Sequence, residues 1–370
     1  MRLLSIPILS DMENLYHEVS DAFRKPSAPP HGMRTMFYVV KNIAACGGLE
    51  TRLAGYADAL AANGYRVIFV AESNRNRAIR SRHLCLHLNF HARNFQRSLD
   101  RLIVRYRADV VEFQIKNRRS VHRLRIEPLK KRCRIGCVVH GEIAGLDASS
   151  LREMDYRIVI SDRLLSIDYD SLGPHTILPN AIDAGQPVWS YCGQRKALIV
   201  SRLQKDKFEQ LCAAIECCLE RGIPFEIAGF PKNGSTVRRL KRRYALCADA
   251  FVPGTVDTRE FLKKNADRYL FVAGVGQVLL EAGAAGYPCL LASDKGAAHS
   301  TFLTRHNIGR NYGRNLTLAH PTERHARVRV ADIELRKIKD YDISESIRED
   351  YAFAKRFDEY LRSIHPRPPR

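Results

Sequence analysis

The stretch Gly274-Val-Gly-Gln-Val-Leu-Leu-Glu281-Ala-Gly-Ala-Ala-Gly-Tyr-Pro288 carries the strongest chemical signal in the chain. Glycines ahead of a short helical run leave its first backbone N–H groups open to an anion at the positive end of the helix dipole. Gly274, Val275, Gly276 and Gln277 are therefore candidates for holding phosphate oxygens. Glu281 lies farther into the run, where a carboxylate accepts two hydroxyls of a ribose; a glutamate on the solvent face is the plainer alternative. Arg202, Lys205 and Lys207 follow an apolar run and group a planar guanidinium fork with ammonium point charges. Such a set suits neutralisation of a diphosphate leaving group, although a solvated basic loop has the same composition. Gly47-Gly48 opens another helical stretch, either as a second anion-accepting turn or as a tight turn with no ligand. It is neither the dinucleotide fingerprint nor a Walker A loop. His140, with Glu142 close by, ends one more apolar run, where an imidazole donates to a sugar hydroxyl or phosphate or satisfies a loop carbonyl.

The elements that must position these groups alternate along the chain. Strands are expected at 36–40, 66–70, 109–113, 135–139 and 157–160, and again at 197–200, 224–228, 251–252, 269–272 and 289–292. Helices are expected at 49–62, 208–221, 235–246, 257–264 and 276–285, with Phe95, Leu99, Leu102, Ile103 and Tyr106 forming another helical stripe. Ser161-Asp162 and Ser344 read as helix caps, the second opening a last helix that runs to 364. Apolar strands alternating with amphipathic helices indicate parallel sheets covered on both faces. The expected fold class is α/β, with two doubly wound Rossmann-like domains facing a cleft. The boundaries are an extension over 1–34, a first domain over 35–184, a second over 185–343 and a terminal helical segment over 344–370 that crosses back to the first. Ligands of parallel sheets bind at the carboxyl ends of the strands, where all the residues above fall.

Composition narrows the partners. Of 370 residues 45% are apolar, which excludes wholesale disorder, and the net charge of +20 calls for an anionic partner. Arg97, Arg101, Arg105 and Arg107 recur along one helix, and Arg118, Arg119, Arg123, Arg125, Lys130, Lys131, Arg132 and Arg134 follow. This face suits an anionic membrane surface or a phosphorylated acceptor, or is a solvated face only. Nucleic acid is not expected as a partner, because no stacking aromatics interleave with the basic run. The ten cysteines include no Cys-x-x-Cys pair, so reduced thiols are expected, with no structural metal. No apolar run approaches the ~20 residues that span a bilayer. The opening segment lacks a signal-peptide cleavage site, which places the expected location in the cytoplasm.

Taken as an ordered set, these motifs resemble the GT-B glycosyltransferases, specifically the family 4-like group (glycosyl transferases group 1). The resemblance spans about 36 to 364 and rests on Gly47-Gly48-Leu-Glu50, His140 and Ile177-Leu-Pro-Asn-Ala-Ile-Asp183. Its second half adds Ser201-Arg-Leu-Gln-Lys-Asp-Lys207, Phe225-Glu-Ile-Ala-Gly229, Phe251-Val-Pro-Gly254 and Glu281 through Pro288. It implies an acceptor-side first domain and a donor-binding second domain. Arg202 and Lys207 would hold the donor diphosphate, Glu281 the ribose, and the 274–277 amides the donor sugar and phosphates. Gly47, Gly48 and His140 would face the acceptor and the reacting sugar.

The implied activity is transfer of a sugar from a nucleotide-sugar donor to a bacterial surface glycan, such as lipopolysaccharide core or capsule, on a glycan or lipid-linked acceptor. Retention of anomeric configuration, no metal and no cofactor beyond the donor itself belong to the same expectation. So does a peripheral position on the inner face of the bacterial inner membrane. One departure stands out: the family carries a pair of glutamates, and with Glu281 as the second, the first falls at Ala273. A degenerate relative that binds nucleotide sugar or glycan without turnover is the alternative.

Overall fold

The structure, a computed structural model, describes residues 32–44, 47–115, 125–140, 149–161, 173–182, 185, 187–193, 195–229, 234–252, 257–313, 316 and 341–365. The chain divides into two compact units, Met1–Leu178 with Phe357–Arg370, and Pro179–Arg356. Among the described residues no helix is long and apolar enough to cross a membrane.

The first unit follows β1 (Arg34–Ile43), α1 (Gly48–Ala62), β2 (Tyr65–Asn74), α2 (Arg77–Arg82), β3 (Leu84–His87), α3 (Phe95–Tyr106) and β4 (Val110–Ile115). It continues through α4 (Ile126–Lys130), β5 (Arg134–Val139), α5 (Ser149–Arg152), β6 (Tyr156–Val159) and β7 (Thr176–Ile177). The strands form one seven-stranded sheet in the order β3-β2-β1-β4-β5-β6-β7, every pair parallel. Helices on both faces explain why the central strands are buried throughout, as Thr35 to Val40 are. On α1 Leu53, Tyr56, Ala57 and Leu60 of the expected stripe are buried and Leu49 is half-buried, with Asn63 closing the helix. On α3 Phe95, Leu99, Leu102, Ile103 and Tyr106 face the sheet, while Arg97, Arg101 and Arg107 are exposed. Of the basic run that follows, Arg118, Arg119 and Arg123 lie outside the described residues. Arg132 and Lys130 pair with Asp100 at 2.9 Å and Asp155 at 3.4 Å, which reduces the excess positive charge of that face.

The second unit contains β8 (Lys196–Val200), α6 (Phe208–Leu219), β9 (Phe225–Ala228), α7 (Ser235–Tyr244), α8 (Thr258–Lys264), β10 (Tyr269–Gly274) and α9 (Gln277–Ala284). After these come β11 (Cys289–Leu291), β12 (Thr301–Phe302), α10 (Ile308–Gly313) and α11 (Ser344–Asp350); the last helix, α12 (Phe353–Ile364), starts in this unit and from Phe357 on belongs to the first. Its five-stranded sheet runs β12-β11-β10-β8-β9. The edge strand β12, which the local pattern does not announce, is antiparallel to β11. Around Phe251 the expected strand shrinks to a single bridge to Ile227. Apolar clusters cover both faces, one centred on Leu198, Val272 and Leu280, the other on Ile199, Phe271 and Leu290.

The last helix differs from expectation. It breaks at Tyr351-Ala352, where Ala352 bridges Ile182 in parallel fashion and the Phe353 N–H donates to the Ile182 carbonyl at 2.7 Å. Strand-like pairing thus takes over the backbone groups that a continuous helix would have used. Its start also differs: Ile343 is the N-cap residue, with no side-chain cap, and Ser344 is the first helical residue, its N–H donating to the Asp342 carboxylate at 2.9 Å. The helix expected after Ser161-Asp162 lies outside the described residues. The cysteines that are described are free thiols.

Candidate functional site

In the second unit the sheet order reverses at β8, with β9 on one side and β10 on the other. That switch point is where a parallel sheet opens a crevice at its carboxyl ends. Val200 and Gly274 are paired there, so the turns that follow β8 and β10 leave the sheet side by side. A Cβ added to Gly274 would stand 2.7 Å from the Val200 carbonyl oxygen, and this close backbone approach is what requires glycine. Ser201, Gly274 and Val275 line one small cavity with Gln210 and Ala292.

Gly276 is the N-cap of α9 with φ of 67°, a left-handed conformation that glycine adopts without strain. No side chain caps this end, and the Gly276 N–H itself donates to the Leu316 carbonyl at 2.7 Å. Gln277, the first helical residue, directs its amide nitrogen to the Ala181 carbonyl at 3.4 Å. The sequence reading of 274–277 as a glycine turn opening a helix is therefore realised locally.

Glu281, half-buried on α9, has its carboxyl pushed up to about 7. Burial is the main cause and the neighbouring Asp257 charge adds to it, against hydrogen bonds from Thr258 and Gln277 and the Arg259 charge. Asp257 and Thr258 belong to the start of α8, where the Asp257 carboxylate accepts the Glu260 N–H at 3.1 Å. Glu281 thus stands beside the first turn of another helix, with a proton that is lost near neutrality.

Arg202 lies two residues beyond β8 and is exposed. Its guanidinium pairs with Asp206 at 2.9 Å and donates to the Gln204 side chain at 3.3 Å, which holds the fork over its own turn. Lys205 and Lys207 form a single 3-10 turn, and Lys207 is the N-cap residue of α6. Lys205 is exposed and Lys207 half-buried.

In the first unit Gly47 caps α1, and its carbonyl accepts the Thr51 N–H at 2.9 Å. Glu50, buried in the first turn, accepts the Ala44 N–H at 3.0 Å. A carboxylate therefore already sits at the positive end of this helix beside Gly47 and Gly48, and it competes with any external anion. His140 follows β5, half-buried, with its N–H donating to the Ile115 carbonyl at 2.9 Å. Its Nε2 lies 2.6 Å from the Gln114 side-chain oxygen. Glu142 is outside the described residues.

Sequence reasoning missed the residues behind His140. Glu112 and Gln114 alternate on β4, a strand buried at every position. The Glu112 carboxylate accepts Gln114 Nε2 at 2.5 Å, the Tyr156 hydroxyl at 3.0 Å and the Tyr360 hydroxyl at 2.9 Å. Tyr38 and Tyr360 join hydroxyls at 3.0 Å. Burial pushes the Glu112 carboxyl up to about 7, against those hydrogen bonds and the Arg52 charge. The available signal was a glutamate and a glutamine at alternate positions within Val110-Val-Glu-Phe-Gln-Ile115, an otherwise apolar run.

No protein-family model matches the chain, and no curated protein matches it by sequence. Solved structures do match. An α-glucosyltransferase in complex with UDP and a 13-mer DNA containing an HMU base superposes with a TM-score of 0.59 at 14% identity, covering 90% of this chain and 99% of that one. A UDP-N-acetylglucosamine 2-epimerase from Listeria monocytogenes gives 0.53 at 12% identity, covering 90% and 96%. MnaA of S. aureus with UDP gives 0.53 at 11% identity, covering 91% and 99%. These likenesses establish the fold: the chain has the GT-B type of architecture, built from two Rossmann-like units.

Proposed function

We propose that the protein is a glycosyltransferase that takes its sugar from a nucleotide-sugar donor held by the second unit. The observation that carries this reading is the set of groups around the β8–β10 switch point. A glycine-opened helix offers amides, Arg202 and Lys207 follow β8, and Glu281 sits within α9 beside the start of α8. In this reading the α9 amides and the two cations meet the diphosphate, and the Glu281 carboxylate accepts the ribose hydroxyls. Charge that develops on the departing nucleoside diphosphate is stabilised by groups already in place, which lowers the barrier to transfer. His140 and the Gly47-Gly48 turn of the first unit serve the acceptor and the reacting sugar.

That two neighbours in fold were solved with UDP, and one of these is an α-glucosyltransferase, supports the donor class. A surface glycan as acceptor is supported by the exposed Arg97, Arg101 and Arg107, a face suited to a phosphorylated lipid carrier or an anionic leaflet. Retention, independence of metal and a cytoplasmic position at the membrane complete the proposal. Nucleoside diphosphates and nucleotide sugars should raise the melting temperature, because each binds only the folded state. Release of nucleoside diphosphate in the presence of donor and a lipid-extract acceptor should follow.

A second reading is favoured by Ala273, which stands where the related transferases carry a carboxylate. A binder of nucleotide sugar without turnover would show the thermal shift and release no nucleotide with any donor.

A further inference from the structure

We propose that Gln114 and Glu112 are positioning residues for His140, fixing its imidazole as the tautomer that carries the proton on Nε2. The inference rests on the reading of His140 as a group that meets the reacting sugar or its acceptor, and it adds how that group is prepared.

The direction of each hydrogen bond follows from one fact: above the value of about 7 to which burial pushes its carboxyl, Glu112 is ionised, and an ionised carboxylate only accepts. Glu112 therefore receives the amide hydrogens of Gln114, at 2.5 Å. Gln114 must then turn its carbonyl oxygen the other way, and that oxygen lies 2.6 Å from His140 Nε2. An oxygen acceptor on Nε2 requires a proton there, so neutral His140 keeps its lone pair on Nδ1. The amide orientation is settled by the network rather than by the appearance of the side chain.

Two further groups hold the carboxylate directly and a third through one of them. Tyr156 and Tyr360 donate to its second oxygen at 3.0 and 2.9 Å. Because the Tyr360 proton is committed to Glu112, the Tyr38 hydroxyl must donate to Tyr360, at 3.0 Å. The register explains why these residues meet. Tyr38, Glu112, Gly136 and Tyr156 form one row across β1, β4, β5 and β6. Gln114 is two residues above Glu112 on the same face of β4, and His140 ends the strand that pairs with it.

A charged carboxylate in a fully buried strand is costly unless something requires it. An apolar residue of similar size would leave the Tyr156 and Tyr360 hydroxyls and the Gln114 amide without their acceptor. A carboxylate is required if the amide of Gln114 must be held in one orientation.

The test reads the ring directly. Protein labelled with 15N in its histidine rings is examined at pH 8.5 by long-range 1H–15N correlation, with His140 assigned by its absence from His140→Asn. The wild type should show a single Nε2–H form. Gln114→Met and Glu112→Gln should each give a mixture of tautomers or the Nδ1–H form. In the donor assay their kcat should fall by about tenfold or more with little change in donor KM, as for a lost proton-handling geometry rather than lost binding. The Nδ1–H form in the wild type, which needs no variant to fold, would overturn the proposal. Unchanged ring shifts in both folded variants would do the same, and so would altered tautomers with undiminished kcat. If the wild type turns over no donor, the transferase reading falls, while the ring nitrogens still decide whether Gln114 and Glu112 set the tautomer.

Discussion

Gly136 and Tyr156 are register partners on adjacent strands, and a Cβ built on Gly136 would lie 2.2 Å from the Tyr156 ring. The glycine leaves the space through which the ring reaches across β5 to place its hydroxyl on Glu112, which pairs with Gly136 from the other side. A glycine in the middle of a buried strand costs stability by itself. Its presence here is explained by the tyrosine it admits. Gly136→Ala should destabilise the protein by about 3 kcal/mol, since an added methyl must push a packed ring aside. Chemical denaturation checks this, and Gly136→Ala combined with Tyr156→Ala should recover part of the loss. A single mutant as stable as the parent would show that the row accommodates side chains freely.

Ala273 bears on the choice between enzyme and binder. It is fully buried, paired with Ile199 and Leu290, within the apolar cluster that includes Phe271 and Ala292. Ala273→Glu would drive a carboxylate into that cluster, where no partner for its charge is at hand. The substitution should cost about 3 kcal/mol or more at pH 8 and less at pH 5, where the added group is protonated. Urea unfolding at the two pH values measures it. A variant of parental stability that turns over donor faster would instead mean that position 273 reaches the sugar.

How much of this was legible depended on the range of the cause. The stripes of α1 and α3 and the turn at Gly276 are local, so the sequence alone places them. The glycine-opened α9 and its Glu281 were found for the same reason. The row through Glu112 was not, because it joins residues 44 and 248 positions apart. Parallel register fixes which residues meet across strands, and nothing in a single strand encodes it. The break at Tyr351-Ala352 was hidden likewise, since its cause is a bridge to Ile182. Strand β3 is short and only Leu86 within it is buried, which left little alternation to read.

If Arg202 and Lys207 hold the diphosphate as proposed, their substitution should touch chemistry rather than folding. The Arg202–Asp206 pair is exposed on both sides, so its own contribution to stability is small. Arg202→Ala and Lys207→Ala should each lower nucleotide release by about a hundredfold or more, with unfolding midpoints close to the parent. Asp206→Asn should loosen the guanidinium and shift donor KM more than kcat. Parental kinetics in both alanine variants would leave the diphosphate without its proposed clamp.

Glu281 provides a pH signature of its own. Its carboxyl is raised from 4.5 to about 7 by burial first and Asp257 second. In the absence of ligand the folded protein therefore holds a proton that the unfolded chain releases, and this contribution to stability is lost as pH rises from 4.5 to 7. In the proposed reading ribose hydroxyls donate to the ionised form, so a nucleoside diphosphate should draw the proton off. Its affinity should tighten by about tenfold between pH 6 and pH 8, following the ionised fraction of a group that titrates near neutrality. Calorimetry at pH 6.5 in two buffers of different ionisation enthalpy should register protons released on binding. Glu281→Gln should bind more weakly at pH 8 and lose the part of both effects that exceeds the titration of the ligand phosphate, which the variant itself calibrates. Equal proton release by the parent and Glu281→Gln would place the ribose elsewhere.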